Sequence, residues 1–473
     1  MSAPNTLILA DDQQRYDTVG ANGSAICRTP NQDRLAREGV SFSHAFTCTA
    51  ICSSARSALL TGRYPHNGGL MNNTHERDAL ALEMPDGTRT YAQHLREAGY
   101  RSAYIGKWHA GRDKTPTDWG YDFYNPDGFL GPVRDRLGIA GNPPVSGPSG
   151  FALAPWWNIP AHGRRDIPVE ACVEHTLAEA AMQFIRDYEE QRRRDGRPWH
   201  VRVDWQAPHW PHYLPEPYFS MYDPKDIPPW PNFGDAFEAK PYANNRLVEQ
   251  WRVGNIGWPE WAELVARYFG HVSMVDRGMG LVLDALDETG AAENTLVIFT
   301  TDHGDMTGSH GIFNKGGVPY EEIYHIPMVI RWPGVAQPGR VCDRFVMIQD
   351  FFPTILDAAG CAFEDTDESA SLLPLVRGEE SGWRRDAAFC AYYADEVGMH
   401  ELRILRNRRY KFVYNVVDRN ELYDLEEDPH ELHNLFCDPA HADVRREMGR
   451  EMLSWMERTD DRIARWSRTI LVE

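Results

Sequence analysis

The feature that most constrains this chain is where its polar residues stand. Four short apolar runs each end in groups capable of chemistry. "TLILA" (6–10) runs into Asp11-Asp12, and "SAYI" (102–105) into Lys107-Trp108-His109. "HVRVDW" (200–205) leads to the loop carrying His209, and "TLVIFT" (295–300) to Asp302-His303. Runs of this length, rich in β-branched and aromatic residues, read as buried strands. They alternate with helical patterns at 31–39, 90–100, 173–194 and 264–290, and a fifth run, "MVIRW" (328–332), follows. Such alternation marks an α/β protein with a large mixed, mainly parallel sheet sandwiched by helices. Ligands of open α/β sheets bind beyond the carboxyl ends of the strands. The four clusters therefore predict one site along one edge.

Composition narrows the partners. Lys and Arg number 49 against 69 Asp and Glu in 473 residues, a formal charge of −20. That surface repels nucleic acid and anionic membrane, so an anionic substrate must meet a local basic pocket. No apolar run approaches the roughly 20 residues of a membrane span. The opening "MSAPNTLILADDQQ" lacks a basic region and turns acidic too early for a signal peptide. Eight scattered cysteines form no Cys-x-x-Cys pair and read as reduced thiols. The expectation is a soluble, cytoplasmic protein without nucleic-acid or membrane partners; whether it forms a homo-oligomer stays open.

Two stretches, about 110–170 and 205–260, lack periodicity and are rich in Pro, Gly and Trp. Loops this long are characteristic of active-site walls. Trp156, Trp157, Trp205, Trp210 and Trp230 could stack on a sugar or aromatic face, or simply pack the loops. Beyond about residue 380 the text becomes β-rich ("LRILRNRRYKFVYN"), and a polar helical pattern follows at 442–463. This divides the chain into a catalytic α/β domain, 1–380, and a C-terminal α+β subdomain with a small antiparallel sheet, 381–473.

The candidate site residues each have a plain structural use as well. Asp11-Asp12 and Asp302-His303 suit turns and helix caps, yet together they offer three carboxylates and an imidazole to one divalent cation. Calcium or magnesium suits the carboxylates, and the imidazole leaves manganese open. Lys107 and His109, two apart, would face one cavity if the backbone is extended. His209 stands in a Pro-rich loop, and Lys315 in "GIFNKGG", where glycines allow close approach. Cys52 opens the helical text "CSSARSALL", where the helix N-terminus would lower a thiol pKa, and Arg56 follows one turn on.

Taken together, "CSSARSALLTGR", "LADD", "GKWHAG", "APHWP", "TTDHGDMTGSHG…NKGG" and the C-terminal "ELYDLEEDPHELHNL" resemble the sulfatase family of the alkaline phosphatase superfamily. They stand in the family's order and span residues 6 to about 435. The resemblance implies an alkaline-phosphatase-like fold and a sulfuric ester hydrolase. It implies that a formylglycine-generating enzyme converts Cys52 to formylglycine. The hydrate of that residue would sit against one cation, calcium first with magnesium or manganese as alternatives, held by Asp11, Asp12, Asp302 and His303. Arg56 and Lys107 would hold the hydrate, and His109 would be the base that expels sulfate. Lys315 and His209 would contact the sulfate and the leaving oxygen, with His209 the acid, and Asn73 would lie near the substrate. Ser54 stands where the family has proline, and His303 where many relatives have asparagine. The expected substrate is a small sulfated sugar or related metabolite. A phosphonate or phosphate diester hydrolase, and an anion-binding protein with Cys52 unconverted, are the alternatives.

Overall fold

The computed structural model describes residues 3–77, 79–141, 143–146, 152–153, 159–364, 366–395 and 398–472. Trp156 and Trp157 lie outside them. Eight strands form the central sheet: β1 (Asn5–Asp12), β2 (Val40–Phe46), β3 (Arg101–Gly106), β4 (Phe123–Asn125), β5 (Trp199–Pro208), β6 (Thr295–Thr301), β7 (Met328–Arg331) and β8 (Arg340–Met347). Their spatial order is β8-β2-β7-β6-β1-β5-β3-β4. All neighbours pair in parallel except β7, which runs antiparallel to both β6 and β2.

The unbroken apolar text of the central strands has a direct cause. Successive side chains point to opposite faces, and here both faces are covered. Leu7 and Leu9 join Val201, Val203, Val297 and Phe299 under one helical layer. That layer consists of α1 (Pro30–Glu38), α4 (Val173–Asp195) and α6 (Trp258–Thr289). Ile8 and Ala10 turn the other way, to a core shared with α2 (Cys52–Thr61) and α3 (Tyr91–Glu97). The helix α6 starts six residues before the periodic pattern at 264, because Pro259 occupies its first turn and the Glu260 side chain accepts from the Gly257 backbone N–H. A further helix, α5 (Tyr242–Trp251), lies in a stretch without clear periodicity.

At the C-terminus, β9 (Ala388–Asp395), β10 (Gly398–Arg406), β11 (Tyr410–Asn415) and β12 (Glu421–Asp424) form an antiparallel sheet in chain order. Packed with it is α7 (Ala442–Arg458), whose Met448, Met452 and Trp455 enter the same core as Ile8 and Ile298. Contacts join this sheet to the preceding part of the chain. The Ala391 N–H donates to the Cys48 carbonyl at 2.8 Å, just ahead of α2. Buried Lys411 pairs with Glu321 at 2.7 Å and Glu431 at 2.6 Å. No helix of the described residues is long and apolar enough to cross a membrane.

Candidate active site

The parallel strands all present their carboxyl ends to one edge, and the four clusters meet there. Asp11 and Asp12 close β1 and are both 0% exposed. Asp302 and His303 follow β6, Lys107 follows β3, and His209 follows β5. The loop after β2 brings in Cys52 as the first residue of α2, buried to 1% exposure. Its sulfur lies 3.2 Å from His303 Nε2 and 3.8 Å from an Asp12 oxygen.

Charge around that sulfur decides its state. Burial alone would push the thiol up, but Lys107, Lys315 and His303 reverse this and hold it well below the ordinary thiol range. His109 and His209 both lie against the sulfur. Burial, then Lys107, pulls His109 down to about 4, so its imidazole is neutral near pH 7. Burial, then Lys315, likewise lowers His209. His209 Nδ1 bonds the Trp210 carbonyl at 2.7 Å, which leaves Nε2 facing the Lys315 ammonium at 3.4 Å. The segment after β3 is not extended, because His109 has a left-handed backbone (φ 52°). Lys107 turns to Asp12 at 2.5 Å.

Arg56 lies beneath this group, 1% exposed. Its guanidinium donates to Asp302 at 2.9 Å, Asp204 at 2.8 Å, Asp12 at 3.0 Å and the Lys107 carbonyl at 3.0 Å. It therefore braces the carboxylates. Burial and the Cys52 charge would raise Asp12, but Lys107 and Arg56 outweigh them and hold it low. Burial, then Asp12, pushes Asp302 up to about 7. Asn73 reaches α2 instead, its side-chain oxygen accepting from the Ser53 N–H at 3.2 Å.

The carboxylates of this group suit a hard divalent cation. One ligand atom each from Asp12, Cys52, Asp302 and His303 lies within 4.8 Å of the others. Beside them, Asp11 keeps both carboxylate oxygens buried without a hydrogen-bond partner. Burial, then the charges of Asp302 and Asp12, raises its carboxyl well above the usual range. His303 donates through Nδ1 to the Gly304 carbonyl at 2.9 Å, which turns Nε2 into the cluster. The unpartnered, buried carboxylate oxygens of Asp11 are what such a cation would satisfy.

Two residues of this site lie outside the expected set. Asp204, inside β5, is 1% exposed and is gripped by Arg202 as well as Arg56. The signal was present: Arg202 and Asp204 alternate with Val201, Val203 and Trp205, so both charges had to point into a buried face. Gln13, next after the paired aspartates, is 0% exposed and reaches Lys315.

Comparison with known proteins agrees with this geometry. The sulfatase family model matches residues 4–361, and the model for the N-sulphoglucosamine sulphohydrolase C-terminal region matches residues 308–458. The chain is 28% identical to an arylsulfatase of Clostridium perfringens, over 91% of this chain and 90% of that protein. It is 29% identical to a choline-sulfatase of Rhizobium meliloti, over 92% and 83%. The solved phosphonate monoester hydrolase of Agrobacterium radiobacter superposes with a TM-score of 0.81 at 28% identity, covering 96% of each chain.

Proposed function

The chain belongs to the sulfatase family of the alkaline phosphatase superfamily and is a sulfuric ester hydrolase. From that premise we propose that it releases inorganic sulfate from a small sulfated sugar or related metabolite, using Cys52 converted to formylglycine and one divalent cation. The observation that carries this reading is the thiol at the start of α2, ringed by Lys107, Lys315, His109 and His209 and 3.2 Å from His303.

Asp11, Asp12, Asp302 and His303 would hold the cation, calcium first with magnesium or manganese as alternatives, and the cation would supply Lewis acidity to the sulfate oxygens. Formylglycine at position 52 would supply the nucleophile. The other residues then have separable tasks. Arg56 braces Asp12 and Asp302 so that their spacing survives the loss of a proton or a ligand. Lys107 and Lys315 offset the charge of the anionic ester. His209, with its Nδ1 donating to a carbonyl, turns Nε2 toward the Lys315 ammonium, from which it would take the proton that it hands to the leaving oxygen as the acid. Neutral His109 accepts the proton when sulfate departs. Asn73 would border the substrate. The division into a catalytic domain, 1–380, and a C-terminal subdomain, 381–473, belongs to the same reading. So do a cytoplasmic setting, which suits eight unpaired cysteines, and a formylglycine-generating enzyme as partner.

A second reading, hydrolysis of phosphonate or phosphate diesters on the same residues, is favoured by the likeness to the phosphonate monoester hydrolase. One experiment addresses both. The tryptic peptide from Glu38 to Arg56 is weighed after alkylation, and the protein is then offered aryl sulfate, phosphonate and phosphodiester substrates. The expected result is Cys52 with its sulfur replaced by an aldehyde oxygen, and fastest turnover of the sulfate. Faster phosphonate turnover selects the second reading. Alkylated thiols at both Cys48 and Cys52 would overturn the formylglycine mechanism and leave an anion-binding protein.

A further inference from the structure

Behind Lys315 runs a line of buried polar groups to which the proposed chemistry gives no task. Gln13 is fully buried and sits in the left-handed backbone region (φ 75°). A non-glycine residue accepts that conformation only where its surroundings demand it. Its side-chain oxygen accepts from the Lys315 ammonium at 2.9 Å. Its side-chain nitrogen donates to Asn314 Oδ1 at 2.8 Å and to the Asp305 carboxylate. Only one orientation of the amide satisfies these neighbours, because nitrogen must face the two oxygens and oxygen must face the ammonium. The Gln13 N–H also donates to Asp302 Oδ1 at 3.2 Å, fixing the backbone from which the side chain extends.

We propose that Gln13 is a positioning residue: it holds the Lys315 ammonium against His209, and Asp305, by taking the other end of the amide, sets the direction in which Gln13 faces. This deepens the sulfatase reading and rests on it, since Lys315 is there the contact to the transferred anion. A neutral acceptor suits the task. A carboxylate at position 13 would cancel the charge of the ammonium toward the substrate and set its second oxygen against Asp305 and Asn314.

The test uses the full-length protein loaded with its metal. Binding of inorganic sulfate is measured by calorimetry, and kcat and KM with an aryl sulfate, for wild type, Gln13→Met, Gln13→Glu and Asp305→Asn. Metal content is measured alongside, so that cation loss is not mistaken for misplacement of Lys315. Gln13→Met should weaken sulfate binding and raise KM about tenfold, the worth of a hydrogen bond to a charged group. Gln13→Glu, nearly the same shape, should weaken sulfate binding at least as much. Asp305→Asn, which lets the amide turn over, should fall between wild type and Gln13→Met. A merely structural Gln13 would leave sulfate affinity unchanged in the Glu variant, and that result would overturn the proposal. Wild-type protein that binds no sulfate and turns over no ester would instead remove the sulfatase reading itself.

Discussion

The molecule buries charge in two places, and it does so in opposite ways. At the junction between the two sheets, Lys411 is 1% exposed and its ammonium meets Glu321, Glu431 and the Pro319 carbonyl at 3.1 Å. Nearby, Lys240 is paired with Asp235 and His310 is bonded to the same carboxylate at 2.6 Å. Each buried cation there faces carboxylates already present in the chain. At the strand edge, by contrast, two carboxylates, a thiol and an imidazole converge within reach of one point, and Asp11 beside them has no hydrogen-bond partner. The junction is complete as folded. The edge is built with acceptors to spare, and it is held in that condition by Arg56 from below. Closed ionic clusters serve cohesion, whereas unfilled ones are where ligands enter.

The sharpest way to break this contrast is to delete one member from each place. Cys52→Ala should reduce turnover by about 10⁴-fold or more, the usual cost of losing a nucleophile, with the unfolding midpoint unmoved; a residual rate near wild type would remove Cys52 from the chemistry. Lys411→Met should act the other way. It leaves buried Glu431 without its cation and Glu321 with Arg406 alone, a loss of about 3–5 kcal/mol, read in urea unfolding, while the KM of the molecules that remain folded is unchanged. If Lys411→Met shifts KM and spares stability, the junction is part of the site and the comparison fails.

A smaller effect sharpens the comparison through pH. Burial, only partly opposed by Lys411, raises Glu431 to about 7, whereas Lys411 and Arg406 overcome burial and hold Glu321 well below the usual range. The folded chain thus keeps a proton on Glu431 that the unfolded chain releases at about pH 4.3. Stability from this group is present at low pH and is lost as pH rises between those two values. Glu321 changes nothing in that window, since its contribution is lost only below it. Glu431→Gln, compared with wild type by urea unfolding at pH 5 and pH 8, should remove a pH-dependent loss on the order of 1–3 kcal/mol. Equal pH slopes in the two proteins would mean that Glu431 does not carry this proton.

The strands that carry the site were legible because burial on both faces leaves a continuous apolar run, as in β1 and β6. What escaped was cut up by polar residues with other reasons to be there. In β2, "VSFSHAF" is broken by serines and a histidine, and β8 begins with an exposed half along the sheet edge. The antiparallel direction of β7 had no signature in "MVIRW", since a strand buried on both faces reads the same either way. The four strand-end clusters meet at one edge of the sheet, and Cys52 joins them from the loop after β2, a strand that the sequence reading did not contain. Arg56 lies in the cluster, and its partner Asp204 was passed over although the alternation along β5 sets Arg202 and Asp204 on one face. Gln13 was passed over because an amide has no charge or nucleophile to mark it; its importance comes from Asn314 and Lys315, some three hundred residues away in sequence.

The bond between the Ala391 N–H and the Cys48 carbonyl sets a deadline. It fastens the segment leading into α2 to a strand from the last fifth of the chain, and Cys52 is 1% exposed once that strand is in place. An enzyme that rewrites Cys52 needs the thiol in the open. During synthesis the ribosome delivers residue 52 more than three hundred residues before the strand that fastens the segment ahead of it. At about 5–20 residues per second, that interval lasts tens of seconds. If Cys52 is converted as proposed, the time available for that conversion is written into the order of the chain, and a molecule that folded first would have missed it.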